Sequence, residues 1–62
     1  MKDELLTIEE AANTLRVSKV QIYRLWKRGE LPVVRMGRRY TRIRRQDIDA
    51  FIERHTDRGG QS

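Results

Sequence analysis

The chain has 62 residues, enough for one small domain whose folding removes only about 60% of the unfolded surface from water. It has no cysteine and one histidine, His55, which excludes a disulfide framework, a thiolate metal site and a multi-histidine metal centre. Its 14 Lys/Arg against 9 Asp/Glu give a formal net charge of +5, and no apolar run approaches the ~20 residues of a membrane-spanning helix.

The opening MKDELLTIEE is acidic and lacks the apolar run of a secretory signal. Residues 1–6 read as a lead-in, residues 7–55 as one domain and residues 56–62 as a flexible tail, with Gly59-Gly60-Gln61-Ser62 at its end. Thr7 followed by Glu10 is a capping-box pattern that starts a first helix. Ile8, Ala11, Ala12 and Leu15 then recur on one helical face, and this helix runs to about Arg16. Val17 is expected as a buried anchor between the first helix and the second. Ser18, with Gln21 three residues on, caps a second helix over Lys19–Arg28, and Gly29 stops it, with Pro32 just beyond. About two residues join the helices, so they are direct neighbours that cross as in a helix-turn-helix.

Leu31–Met36 and Tyr40–Ile43 read as two short strands joined through Gly37-Arg38-Arg39, a basic-tipped hairpin or wing. A third helix runs from about Arg45 to His55, with Ile48, Phe51 and Ile52 as its apolar stripe. The expected core is Ile8, Ala11, Ala12, Leu15, Val17, Ile22, Leu25, Trp26, Leu31, Ile43, Ile48, Phe51 and Ile52, with one face of the first strand. The fold class is mainly α with a small β-hairpin.

Charge is segregated along the chain. Residues 19–45 hold ten Lys/Arg and a single acid, Glu30, for a local charge of +9, whereas residues 1–18 and 46–62 each sum to −2. A merely solvated surface mixes both signs, and a block of one sign is the footprint of a nucleic-acid or anionic-membrane partner, nucleic acid first.

At ~100° per residue with Ile22 at zero, Leu25 and Trp26 fall within about 60° of it, and Val20, Arg24 and Lys27 fall near 160°, 200° and 140°. The second helix therefore buries Ile22, Leu25 and Trp26 and turns Val20, Arg24 and Lys27 outward. Tyr23 and Arg28 flank that outer face, and Lys19 and Gln21 lie nearer its edges. Arginine pairs with guanine and glutamine with adenine in a major groove, and Val20 fits a thymine methyl. The candidate contacts on this helix are Ser18, Lys19, Val20, Gln21, Tyr23, Arg24, Lys27 and Arg28, with Lys27 and Arg28 toward phosphate. An ordinary amphipathic helix also shows cations outward, but it intersperses acids for i, i+4 pairing, and none occurs from Lys19 to Arg28.

Arg38 and Arg39 at the hairpin tip repel one another and add nothing to a core, whereas a minor groove or a phosphate would accept them. Arg35 and Arg42 complete the wing's candidate contacts, as phosphate-side charges or else as salt-bridge partners. Arg44 and Arg45 precede Asp47 and Asp49, so local ion pairing stands beside phosphate contact for them. Tyr23 and Tyr40 fit either a phosphate hydrogen bond or a half-buried core edge. His55 is a helix-end residue facing the helix C-terminus. Nothing resembles a nucleophile–base pair, a metal cluster or a glycine-rich phosphate loop, so no enzyme, metal or cofactor is expected.

LTIEEAANTLRVSKVQIYRLWKRGELPVVRMGRRYTRIRRQDIDAFI resembles the excisionase-like, MerR-related winged helix-turn-helix family. The matching features are LTIEEAA at the first helix, VS at the turn, YRLWKRGELP closing the second helix, V-x-R-M-G-R-R in the wing and RQDIDAFI in the last helix. The stretch from Gly37 to Ile48 is one residue longer than in many relatives, which leaves the hairpin register around Tyr40 and Thr41 open. Arg44 is a poor helix N-cap.

The resemblance implies that the second helix enters the major groove and that Arg38, shared with Arg39, reaches the minor groove or backbone. It also implies a function: an excisionase, or recombination directionality factor. Such a protein binds double-stranded DNA near attachment sites as cooperative head-to-tail copies, bends it and assists an integrase, in a bacterial or phage-derived, cytoplasmic and nucleoid-associated setting. The alternative is a small transcriptional regulator of the same fold. MerR-type regulators append a dimerisation helix and an effector domain, and these 62 residues hold neither.

Overall fold

A computed structural model describes residues 4–57 and residue 59 of the chain. The elements run β1 (Leu5–Thr7), α1 (Ile8–Leu15), α2 (Lys19–Lys27), β2 (Val34–Gly37), β3 (Tyr40–Arg44) and α3 (Arg45–Arg54). This is a winged helix-turn-helix fold: two consecutive helices, a hairpin and a third helix.

The capping box that starts α1 is complete. The Glu10 amide donates to Thr7 Oγ1 at 3.0 Å and the Thr7 amide donates to Glu10 Oε1 at 2.9 Å. The helix closes as a Schellman motif, with the Val17 amide donating to the Ala12 carbonyl at 2.9 Å and the Arg16 amide to the Asn13 carbonyl at 3.2 Å. That motif needs one left-handed residue, and here it is Arg16, at φ 59° and ψ 45°. For a residue with a Cβ this conformation costs roughly 1–2 kcal/mol. The end of α2 uses the same two bonds, Glu30 to Leu25 and Gly29 to Trp26, each 2.9 Å. There the left-handed position, at φ 78°, is Gly29, as expected of a glycine stop.

The sheet has three antiparallel strands in the order β1-β3-β2. Leu6 lies opposite Ile43 across the β1–β3 pair, and both are buried. The sequence reading left residues 1–6 as a lead-in, so β1 and Leu6 are corrections to it. The pairing joins segments some 37 positions apart in the chain, Leu6 to Ile43, and no local signal reports such a contact. Residues 1–3 of that lead-in lie outside the described residues, as do residues 58 and 60–62 of the expected tail.

In the hairpin, Val34 pairs with Arg42, Arg35 with Thr41 and Gly37 with Tyr40, so Met36 is an extra residue, a bulge. The turn itself is Arg38-Arg39, and neither residue has positive φ, so the mirror-image turns usual in two-residue hairpins are absent. The bulge supplies the twist such a turn would otherwise give. The first hairpin strand is shorter than expected. Leu31 is fully buried but precedes the strand, because Pro32 offers no amide to a ladder.

The core is Leu6, Ile8, Ala11, Ala12, Ile22, Leu25, Leu31, Ile43 and Ile48, with Leu15, Val33 and Phe51 packed at its margin. Three expected core residues are corrections. Val17 is 37% exposed and Ile52 is 42% exposed, because the turn carries the first outward and the core ends one helical turn before the second. Trp26 is half-buried and lies outside the core cluster.

Arg44, the N-cap of α3, makes no side-chain hydrogen bond to a helix amide. Two other devices start this helix. The Arg45 amide donates to the Glu4 carbonyl at 2.8 Å. Arg44 grips the first-turn Asp47 through both carboxylate oxygens, Nε to Oδ2 at 2.7 Å and Nη2 to Oδ1 at 3.1 Å.

Candidate nucleic-acid interface

The outer face of α2 is built from its cap and its buried stripe. Ser18 Oγ accepts from the Gln21 amide at 3.2 Å, which sets the start of the helix. Burial of Ile22 and Leu25 then fixes its rotation. With those two inward, Lys19, Val20, Tyr23, Arg24, Lys27 and Arg28 are exposed and Gln21 is half-buried at the edge. Val20 is 58% exposed, a large value for an aliphatic residue in the middle of a small domain.

At the wing, Arg38 and Arg39 occupy the turn and are both exposed. The other two wing arginines lie on aromatic rings. The Arg35 guanidinium sits 5.4 Å from the centroid of Trp26, so one side chain of β2 reaches α2. Trp26 in turn lies 6.4 Å from Tyr23, ring centre to ring centre. Arg42 stacks 4.2 Å over Tyr40 and donates from Nη1 to the Thr41 carbonyl at 2.9 Å. The half-burial of Trp26 has its reason here: one side meets the domain, and the other carries Arg35.

Intramolecular acids account for several cations. Arg28 pairs with Glu30 at 3.3 Å, Arg44 with Asp47, and Arg45 with Asp49 at 3.5 Å. For Arg44 and Arg45 the local pairing left open by the sequence is therefore formed. Arg54 Nη2 donates to the Glu30 carbonyl at 2.8 Å, tying α3 to the end of α2. His55 sits at the end of α3, its Nδ1 3.0 Å from the Phe51 carbonyl and its ring stacked on Phe51 at 4.2 Å.

Among the described residues, Arg16, Lys19, Arg24, Lys27, Arg38 and Arg39 make no ion pair or side-chain hydrogen bond. Five of these six come from the candidate set read from the sequence. Arg16 does not: the sequence marked it only as the end of the first helix, and the signal that finds it is its left-handed backbone. No other non-glycine residue among the described ones has positive φ. Cations left without acids on one helix face, in the turn before it and at a hairpin tip form a surface that can neutralise a polyanion.

Comparison with known proteins gives a consistent picture. A candidate DNA-binding protein of Mycobacterium tuberculosis is 44% identical over 52 residues, which cover 84% of this chain and 65% of that protein. The transcriptional repressor DcmR of Methylorubrum extorquens is 42% identical over 52 residues, covering 82% of this chain and 20% of the repressor. An uncharacterised protein of Bacillus subtilis is 44% identical over 45 residues, 73% of this chain and 14% of its own length. The chain thus spans just under two thirds of the mycobacterial relative and a small part of the other two. No solved structure matches it. The family described as the helix-turn-helix domain matches residues 5–56, from the first residue of β1 to just past α3, and the chain belongs to that family.

Proposed function

We propose that this domain binds double-stranded DNA with sequence preference, α2 lying in the major groove and the wing tip reaching the adjacent minor groove or backbone. The observation that carries the reading is the set of exposed cations on α2 and the wing tip that no acid among the described residues satisfies. Arg24 reads a guanine, Val20 packs on a thymine methyl, and Gln21 reads a base from the helix edge. Ser18, Lys19, Tyr23, Lys27 and Arg28 face the phosphates beside the groove. Arg28 is held by an exposed ion pair worth at most ~1 kcal/mol, which a phosphate can replace. Arg38 and Arg39 are the wing's contacts. Arg35 and Arg42, expected from sequence to join them, support the wing from their stacked positions.

Two biological roles fit this one surface. Transcriptional regulation is supported by the likeness to a protein named as a transcriptional repressor. The role of a recombination directionality factor, with adjacent copies bending DNA for an integrase, is supported by the chain's resemblance to excisionases. Footprinting on DNA flanking the gene tests both. Regularly repeated protected sites beside an attachment site, with bent complexes, select the second role, and one protected site over a promoter selects the first. A duplex-independent, salt-insensitive signal rejects DNA binding altogether.

A further inference from the structure

We infer that Arg16, in the turn ahead of α2, is a phosphate-contacting residue whose left-handed backbone is kept strained in order to display a cation there. The inference rests on the reading of the domain as a binder of duplex DNA. Three observations carry it.

The first is the conformation. At φ 59° and ψ 45° Arg16 occupies a position that a glycine fills without strain. The chain shows this itself: α1 and α2 end in the same pair of hydrogen bonds, and the second uses Gly29. A residue kept where glycine would relieve strain points to a demand on its side chain.

The second is that the fold makes no use of that side chain. Arg16 is exposed, and among the described residues its guanidinium has no acid, carbonyl or ring partner. Only its backbone serves the structure, and the backbone role is what glycine performs elsewhere.

The third is place. Arg16 is three positions before Lys19, at the head of the helix that carries Arg24 and Lys27. A cation there extends the charged face of α2 toward the strand of DNA flanking the groove. This charge lies outside the basic block of residues 19–45, in a segment whose net charge is negative.

The test separates backbone from side chain. Arg16→Gly removes strain and charge together, Arg16→Ala removes the charge alone, and Arg16→Lys keeps both. Thermal melts followed by circular dichroism read the strain, and anisotropy titrations of the full chain with a labelled duplex over a series of salt concentrations read the charge. Arg16→Gly is expected to melt higher, by roughly 2–8 °C once the extra freedom of the unfolded glycine is set against the relieved strain. Its binding is expected to weaken, with the slope of log K against log salt shallower by about 0.9. Arg16→Ala should lose the same slope with little change in melting, and Arg16→Lys should keep the wild-type slope.

A glycine variant that melts higher yet binds with the wild-type slope and affinity overturns the inference and leaves the DNA-binding reading standing. A glycine variant that melts lower removes the strain on which the inference depends. If the wild-type chain shows no salt-dependent duplex binding, the DNA-binding reading fails and this inference fails with it.

Discussion

Removing the two wing-tip arginines tests the proposed interface most directly. Arg38 and Arg39 are exposed, have no partner among the described residues and are confined to the turn, and the flanking pair Gly37–Tyr40 is held by backbone. The double variant Arg38→Ala/Arg39→Ala should therefore fold like the parent, which circular dichroism checks. Suppose Arg16, Lys19, Lys27, Arg38 and Arg39 each neutralise one phosphate, Arg24 reads a base, and Arg28, whose charge Glu30 already offsets, adds no net neutralisation. Five phosphates give a slope of log K against log salt of about −4.5, so affinity falls ~500-fold between about 50 and 200 mM salt. With the two wing contacts gone the slope is about −2.7 and the fall over the same interval is ~40-fold. A tenfold difference in salt sensitivity is easily read by fluorescence anisotropy on a labelled duplex. Parent and variant with the same slope would take the wing tip out of the interface, whatever the change in absolute affinity.

Other outcomes follow from single contacts. Arg24→Ala should cost roughly 1–3 kcal/mol of binding and relax preference at one base pair, measured by competition with a library of single-base variants; equal weakening on every sequence would make Arg24 a phosphate contact instead. Arg35→Gln should leave the salt slope at the parent value but change the emission of Trp26, the chain's one tryptophan, because the guanidinium stacks on the indole. A slope shallower by about one unit would return Arg35 to the DNA surface. Asp47→Ala breaks the two-bond grip on Arg44 and removes the acid from the first turn of α3. A charge-assisted pair of this kind in a half-buried setting should be worth about 1.5–3 kcal/mol, or roughly 6–20 °C in melting temperature for so small a domain, and a shift under ~2 °C would mean that the Glu4 carbonyl alone starts the helix. Ile43→Ala empties the middle of the central strand, where Ile43 is fully buried, and should cost about 2–5 kcal/mol by chemical denaturation; a loss below ~1 kcal/mol would place the core elsewhere.

The helices were legible because their signals are local. Thr7 with Glu10, Ser18 with Gln21 and Gly29 act within four residues of themselves, and the predicted helices match the observed ones to within a residue at each end. The outward face of α2 was legible for the same reason: once Ile22 and Leu25 are apolar, helical geometry places Val20, Arg24 and Lys27 opposite them. What stayed hidden depends on distant parts of the chain. A three-residue strand has no periodicity to detect, and β1 exists because β3 offers it partners. The depth of Val17, Trp26 and Ile52 depends on where the neighbouring elements stop, which no helical wheel reports.

The four wing arginines show the division most clearly. By sequence Arg38 and Arg39 stand out only as the tip pair, and Arg35 and Arg42 as phosphate-side charges or salt-bridge partners. Folding separates them: Arg35 meets Trp26 of α2, Arg42 lies over Tyr40 two residues back on its own strand, and among the described residues Arg38 and Arg39 have no partner. Composition and local pattern by themselves determined the helices, the basic middle of the chain and the pair of arginines at the hairpin turn. Which cations remain free for a partner, and which residue bears backbone strain, was decided only by folding. Charge is a property of a residue, whereas pairing and backbone conformation are properties of what surrounds it.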